Sequence, residues 1–139
     1  MASDDEVRQA SDQFYAALNS MLNGDAGPMG DIWSHEDDVS TMHPLGGREL
    51  GWDAVRASWE GAADAFSSGS VTLADLVVRI VGDVAYTLGV EQLDAAVGET
   101  RIESEFRVTN LYRREGGAWK MVHHHTDADA ATQQALGLA

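Results

Sequence analysis

Residues 100–126 read TRIESEFRVTNLYRREGGAWKMVHHHT and are the most informative stretch for the fold. It contains two strand-like runs, 100–114 and 118–126, with Gly116-Gly117 as a turn signal between them. Successive side chains of a strand point to opposite faces. One face of the first run is therefore mainly apolar and the other mainly polar: Ile102, Ser104, Phe106, Val108, Asn110 and Tyr112 against Glu103, Glu105, Arg107, Thr109 and Leu111. The stretch predicts a long antiparallel hairpin.

The same alternation divides the second run into two mixed faces. These are Trp119, Met121, His123 and His125 on one side, and Lys120, Val122, His124 and Thr126 on the other. A sheet with no cleanly polar face is typically covered on both sides. We expect helices to cover one side and a second subunit the other, which predicts a homodimer through the outer sheet face.

Two more strand-like runs, 71–81 and 84–97, precede the hairpin and are joined to it by turn signals at Gly82-Asp83 and Gly98. Helical apolar spacing occurs before them, at 3–22, at a short segment opened by Gly27-Pro28, and at 52–66. A short strand is predicted at 39–42, a loop at Gly46-Gly47, and either a short helix or a frayed end at 129–138. The order predicts one α+β domain over 1–139, with three N-terminal helices on the concave face of a strongly curved sheet.

The amino-acid composition excludes several classes of function. The net charge is −14, from 23 acidic and 9 basic residues, so binding to nucleic acid or to an anionic membrane is disfavoured. The chain has no cysteine, which excludes disulfides and thiol catalysis. No signal peptide or membrane span is recognisable, so we expect a cytoplasmic protein.

Two segments carry a resemblance to a known family. The first is HPLGGR at 43–48 leading to GWDAVR at 51–56, and the second is RVTNLYRR at 107–114 leading to WKMVHHH at 119–125. With the order of elements, they resemble the NTF2-like superfamily, in particular its SnoaL-like and ketosteroid-isomerase-like branch. The last hairpin is also similar to the association domain of calmodulin-dependent kinase II. That superfamily contains isomerases, dehydratases, cyclases, binding domains and assembly domains, so the fold does not specify the reaction.

The resemblance implies a pocket between the helices and the sheet. It implies that Arg107 and Thr109 face this pocket, that Tyr15 lies at its wall, and that Trp33 and His43 lie near its rim. Trp52 is a further pocket candidate because it flanks a loop, although core packing is the simpler role for the tryptophans. The acids Asp37, Asp38 and Asp53 match no isomerase motif that we can place.

Four residues are candidates for catalysis: His43, His123, His125 and Arg107. Histidine can move protons near neutral pH, and a pocket arginine would stabilise negative charge on a ligand. Hydrogen bonding at the strand end or dimer interface is an alternative for the histidines, and an ion pair with Glu105 is an alternative for Arg107. His-x-His with His43 or Asp127 could also bind a metal, but we expect no metal or cofactor and assign Asp127 to the pocket.

Two hypotheses follow. The first is a small-molecule enzyme of isomerase, cyclase or dehydratase type, which acts by general acid/base chemistry on a partly apolar, carbonyl-bearing ligand. The second is a non-catalytic ligand-binding or oligomerisation domain of the same fold.

Overall fold

The structure, a computed structural model, describes residues 3–138. This part of the chain forms four helices and six strands. The helices are α1 (Asp4–Leu22), α2 (Met29–Ile32), α3 (Trp52–Ala65) and α4 (Ala130–Ala135). The strands are β1 (Ser40–His43), β2 (Gly46–Leu50), β3 (Ser68–Val81), β4 (Val84–Val97), β5 (Thr100–Glu115) and β6 (Ala118–Thr126). Their order is α1-α2-β1-β2-α3-β3-β4-β5-β6-α4. The α+β prediction, with helices before a strand meander, is confirmed.

The first helix begins and ends where its sequence signals lie. Ser3 is the N-cap, and its hydroxyl accepts a hydrogen bond from the Glu6 backbone N–H at 3.4 Å. Acidic residues occupy the first turn, where they complement the helix dipole. At the other end, the Asn23 side chain donates to the carbonyl of Gly69 at 2.8 Å and so ties the end of α1 to the start of β3. The apolar stripe of α1 is thereby held against the sheet.

The six strands form one sheet in the order β2-β1-β6-β5-β4-β3. Neighbouring strands are antiparallel except β1 and β6, which run parallel. The sequence prediction of a loop at Gly46-Gly47 was wrong, because β2 begins there and pairs with β1. Both glycines have positive φ, 99° and 81°, which lets the chain turn back sharply from His43 into this edge strand. Of the two alternatives for 129–138, the short helix is present as α4.

Two irregularities bend the sheet. In β3 the pairing with β4 shifts between Ala74 and Val77, and Asp75 lies at φ 58°. In β6 the pairing with β5 shifts so that Leu111 is opposite His123 while Tyr112 is opposite Met121. Val122 is therefore an extra residue, a β-bulge. The long strands curve around α1 and α3, which cover the concave face.

The bulge at Val122 changes which histidines face the core. Without it, His123 and His125 would share a face with Met121, as the simple alternation predicts. With it, His124 lies on the concave face and is only 1% exposed, while His125 is exposed on the outer face. The predicted face assignment for residues 123–126 was therefore wrong, because one unpaired residue inverts the alternation beyond it.

The main core lies between the helices and the concave face. It contains Phe14 of α1, Trp59 of α3 and Tyr112 of β5, all at most 2% exposed. No helix formed by residues 3–138 covers the outer face, and Leu88 there is 42% exposed. No helix in residues 3–138 is long and apolar enough to cross a membrane.

Candidate functional site

A cavity of about 50 Å³ opens between α1, α3 and the concave face. At roughly 10–15 Å³ per water, it holds a few water molecules or one compact organic group. Its walls are mostly apolar and aromatic, and three ionisable residues interrupt them. The apolar part includes Leu18, Met21, Trp59, Phe66, Leu93 and Phe106, and the ionisable residues are His43, Glu91 and His124.

A chain of hydrogen bonds runs through the buried side of this cavity. The Tyr15 hydroxyl donates to Oε2 of Glu91 at 2.8 Å. The Asn110 amide nitrogen lies 3.1 Å from the Tyr15 oxygen, and Oδ1 of Asn110 lies 2.6 Å from Nδ1 of His124. All four side chains are less than 10% exposed. Four polar residues from α1, β4, β5 and β6 therefore meet in one network inside the core.

Glu91 is the most unusual member of the network. Its carboxyl is 2% exposed, and burial raises its pKa from 4.5 to about 7, although the hydrogen bond from Tyr15 opposes the rise. No arginine or lysine lines the cavity among the described residues. Burial also raises the pKa of Tyr15, and Glu91 adds to that rise, so the phenol stays protonated. Glu91 is thus an acid that both accepts and releases a proton near neutral pH.

His43 lies at the end of β1 and is 6% exposed. Its Nε2 is 2.9 Å from the hydroxyl of Ser58 on α3, and 3.5 Å from Oε1 of Glu49. The ring packs edge-on against Trp59, with centroids 4.5 Å apart. Burial lowers the pKa of His43 to about 4, so the ring is neutral at neutral pH.

His124 is the second histidine at the cavity. Its ring lies 5.1 Å from the ring of Phe14 and 5.7 Å from that of Trp59, measured between centroids. Burial holds its pKa well below the usual range, and nearby histidines add to this. His43 and His124 are 5.9 Å apart by centroid, so the cavity presents two neutral imidazoles beside one acid.

The structure brings one sequence-predicted site residue, Tyr15, into this network and another, His43, to the cavity wall. Trp33 lies beneath it as a core side chain, 1% exposed, and packs against Trp59 with centroids 6.2 Å apart. Trp52 is half-buried on the far side of Trp33 and stacks on His35 at 4.5 Å. Neither Trp33 nor Trp52 lines the cavity.

The other predicted site residues lie on the outer face of the sheet. Arg107 is 84% exposed and makes a bidentate ion pair with Asp127, at 2.8 and 3.0 Å, and not with Glu105. The expectation that Arg107 and Thr109 face the pocket was wrong, because Phe106, Val108 and Asn110 hold the concave positions of β5. His123 and His125 lie on the same outer face, displaced there by the bulge at Val122.

Sequence reasoning missed Glu91, Asn110 and His124 as site residues. The sequence did contain a sign of Glu91. Glu91 lies at alternate spacing with Leu93 and Ala95 on the apolar face of its strand, and an acid at such a position is a sign of a buried functional group. For His124 the only signal was its place in the histidine run, since the bulge that turns it inward has no clear mark in the sequence.

In the described part of the chain, no three His, Asp or Glu side chains converge closely enough to hold a metal ion. His123 and His125 are adjacent on the outer face, with ring centroids 5.8 Å apart, but His123 is hydrogen-bonded to Ser40 at 2.7 Å. Asp127 is engaged by Arg107.

Known proteins resemble this chain in both sequence and structure. The SnoaL-like domain family matches residues 7–127. A candidate dehydratase of the NTF2-like family from Streptomyces avermitilis superposes with a TM-score of 0.79 at 25% identity, over 90% of this chain and 94% of that one. A candidate calcium/calmodulin-dependent protein kinase type II association domain from Thiobacillus denitrificans gives 0.68 at 27% identity, over 88% and 94%.

One curated relative is the F-box protein SKIP8 of Arabidopsis thaliana, which is 26% identical over 98 residues. The match covers 70% of this chain but spans only 40% of the length of that protein. Since the SnoaL-like match extends over nearly the whole chain and the solved structures share its curved sheet, this protein belongs to the SnoaL-like family of the NTF2-like superfamily.

Proposed function

We propose that the cavity is an active site in which Glu91 transfers protons to and from a small, partly apolar, carbonyl-bearing molecule. The observation that carries this proposal is Glu91 itself: a 2% exposed carboxyl at a cavity wall, with its pKa raised by burial to about 7. General acid/base catalysis is most efficient when the pKa of the group lies near the working pH. A carboxyl kept for stability alone would be paired with a cation or placed in water.

The remaining polar residues position this acid. Tyr15 holds Oε2 of Glu91, and Asn110 bridges Tyr15 to His124. The neutral rings of His124 and His43 line the same cavity and can accept a proton or a hydrogen bond. Because these side chains come from separate elements and are packed in the core, the arrangement is fixed before a ligand enters.

Dehydration of a β-hydroxy ketone suits this arrangement. A neutral imidazole accepts the proton from the carbon next to the carbonyl, and the electron pair of that C–H bond forms the C=C bond. The C–O bond of the hydroxyl breaks, and protonated Glu91 donates its proton so that water leaves. The product is a conjugated enone, and a proton moves from the imidazolium back to Glu91 to complete the cycle. The likeness to a candidate dehydratase at 25% identity supports this reaction class.

The experiment is a dehydration assay with 4-hydroxybutan-2-one and 4-hydroxy-4-methylpentan-2-one, which follows the absorbance of the enone product. Glu91→Gln keeps the size and removes the proton-transfer group, so we expect the rate to fall by about 10²-fold or more. Glu99→Gln makes the same side-chain replacement in the exposed turn between β4 and β5 and should leave the rate unchanged. No turnover by the wild type, or equal rates for Glu91→Gln and the wild type, contradicts the proposal.

A second candidate function is a non-catalytic assembly domain that forms a homodimer through the outer sheet face. The 27% identity to a candidate kinase association domain supports it, as does an outer face without a helix cover, where Leu88 is 42% exposed and Tyr86 and Leu111 are half-buried. Sedimentation velocity provides the test. A mass of twice 14.9 kDa that falls to the monomer in Leu88→Glu supports assembly, whereas a monomeric wild type contradicts it.

A further inference from the structure

The hydrogen-bond partners of His43 determine which of its ring nitrogens carries the proton. The Ser58 hydroxyl has one proton, and it is donated to the carbonyl of Val55 at 2.6 Å. Ser58 must therefore accept a hydrogen bond from Nε2–H of His43 at 2.9 Å. Glu49, 3.5 Å from the same nitrogen, also favours a proton there. In the neutral ring, Nδ1 is then an unprotonated acceptor.

The hydrogen-bond partners of His124 likewise determine which of its ring nitrogens carries the proton. Tyr15 gives its proton to Glu91, so Asn110 must act as donor to the Tyr15 oxygen through its NH₂ group. That orientation turns the Asn110 carbonyl oxygen towards His124, which must donate to it from Nδ1–H at 2.6 Å. Nε2 of the neutral His124 ring is therefore an acceptor as well.

Three acceptor atoms are left over at the cavity. They are Nδ1 of His43, Nε2 of His124 and Oε1 of Glu91, and no hydrogen bond within residues 3–138 uses any of them. None of the three is a fully enclosed atom, and all three residues line the cavity. In this network Tyr15 donates to Glu91, and Asn110 donates to Tyr15 through one N–H. The indole N–H of Trp59, another cavity-lining residue, has no partner within residues 3–138, but its nitrogen is fully enclosed and is not exposed to a ligand.

We infer, on the basis of the proposed function, that the cavity selects a substrate by its hydroxyl group and excludes free carboxylates. A hydroxyl donates its proton to one of the unpartnered acceptors and accepts from Glu91 when that carboxyl is protonated. The carboxylate of a ligand has no proton to donate to these acceptors, and the one donor it meets is Glu91 in its protonated form. Its negative charge would also be buried without a cation, because no arginine or lysine lines the cavity. The substrate class is thus a small uncharged β-hydroxy ketone, aldehyde or ester, and not a hydroxy acid.

Four probes with five non-hydrogen atoms each test this selection apart from any reaction. Butan-2-ol, butan-2-one, propanoate and butan-2-amine differ in the polar group and hardly in size. Each is titrated into the protein at pH 8 while the indole and imidazole NMR signals are followed. We expect butan-2-ol to bind at least about tenfold more tightly than butan-2-one or propanoate, because a site built for a hydrogen-bonding group rejects analogues that lack it.

A matched variant assigns the selection to the cavity. Glu91→Gln introduces an NH₂ donor, so we expect the preference for butan-2-ol over butan-2-one to shrink by fivefold or more, whereas Glu99→Gln retains it. The inference is overturned if butan-2-one or propanoate binds as well as butan-2-ol, or if butan-2-ol fails to bind. Binding of butan-2-amine alone also overturns it, since charge and not the hydroxyl would then be selected.

The binding and turnover experiments separate the two proposals. If butan-2-ol is preferred but 4-hydroxybutan-2-one is not converted, the selection stands and the catalytic proposal falls. If conversion depends on Glu91 but propanoate binds as well as butan-2-ol, catalysis stands and the inferred substrate class falls.

Discussion

Replacement of Glu91 by glutamine should change the pH dependence of folding stability in a calculable way. The pKa of Glu91 is about 7 in the folded protein against an ordinary value of 4.5. Between these values the unfolded chain is ionised while the folded chain keeps its proton. The folded state binds more protons, so the free energy of unfolding falls as pH rises through this window and levels off above about pH 7. Glutamine does not titrate, so the variant lacks this loss.

The magnitude follows from the width of the window. Between the two pKa values, each pH unit changes the free energy of unfolding by about 1.4 kcal/mol. From pH 4.5 to 8 the wild type should therefore lose about 3 kcal/mol of folding stability relative to Glu91→Gln. The pKa values of His43 and His124 in the folded protein lie below the ordinary value, so their contribution to folding stability increases as the pH rises. Because both proteins contain them, they cancel in the difference.

Urea unfolding at half-unit pH steps, followed by tryptophan fluorescence, measures this difference. Glu99→Gln serves as the control, since it makes the same side-chain replacement at an exposed turn and should follow the wild type. Parallel stability curves for the wild type and Glu91→Gln would contradict a raised pKa of Glu91, because the carboxyl would then titrate as it does in water.

Three further outcomes test the structure. In urea denaturation, His124→Ala should cost about 2–4 kcal/mol and His125→Ala less than about 0.5 kcal/mol, because only the former is buried; equal costs would contradict the bulge. Gly69→Ala should lower the thermal midpoint and reduce the free energy of unfolding by about 1–3 kcal/mol, because the added Cβ would lie 2.8 Å from the Cβ of Ala95. An unchanged midpoint would contradict this close contact. Arg107→Ala should leave the urea midpoint nearly unchanged and the dehydration rate within threefold of the wild type, since its ion pair is exposed; a tenfold loss of rate would restore Arg107 to the site.

Local patterns along the chain were sufficient for the architecture. The capping residues at Ser3 and Asn23, the helical spacing of α1 and α3, and the turn signals that bound the strand-like runs of β3 to β5 each depend on neighbours within a few positions, and they predict the elements correctly. The edge strand β2 escaped prediction because its pairing with β1 depends on the turn that Gly46 and Gly47 allow.

The candidate site was only partly within reach of the same reasoning. His43 and Tyr15 were assigned to the pocket: His43 lines the cavity, and Tyr15 lies behind the cavity wall, where it holds Glu91. Arg107, Thr109 and Asp127 were assigned there too and lie on the outer face. The resemblance supplied a pocket but not the face of β5 that lines it, whereas the alternation of β5 already separated Asn110 from Arg107.

Local propensity, capping and periodicity were enough to predict the α+β class and the strand meander, and the resemblance of residues 43–56 and 107–125 indicated the SnoaL-like family. The chemistry of the cavity depends instead on contacts between distant segments, which only the folded structure shows. The bulge at Val122 inverts the faces of the last strand and brings His124 inward. The curvature of the sheet brings Glu91 into contact with Tyr15, although the two residues are 76 positions apart in the sequence. The raised pKa of Glu91 and the free acceptors beside it arise from burial, and burial depends on how distant segments pack together.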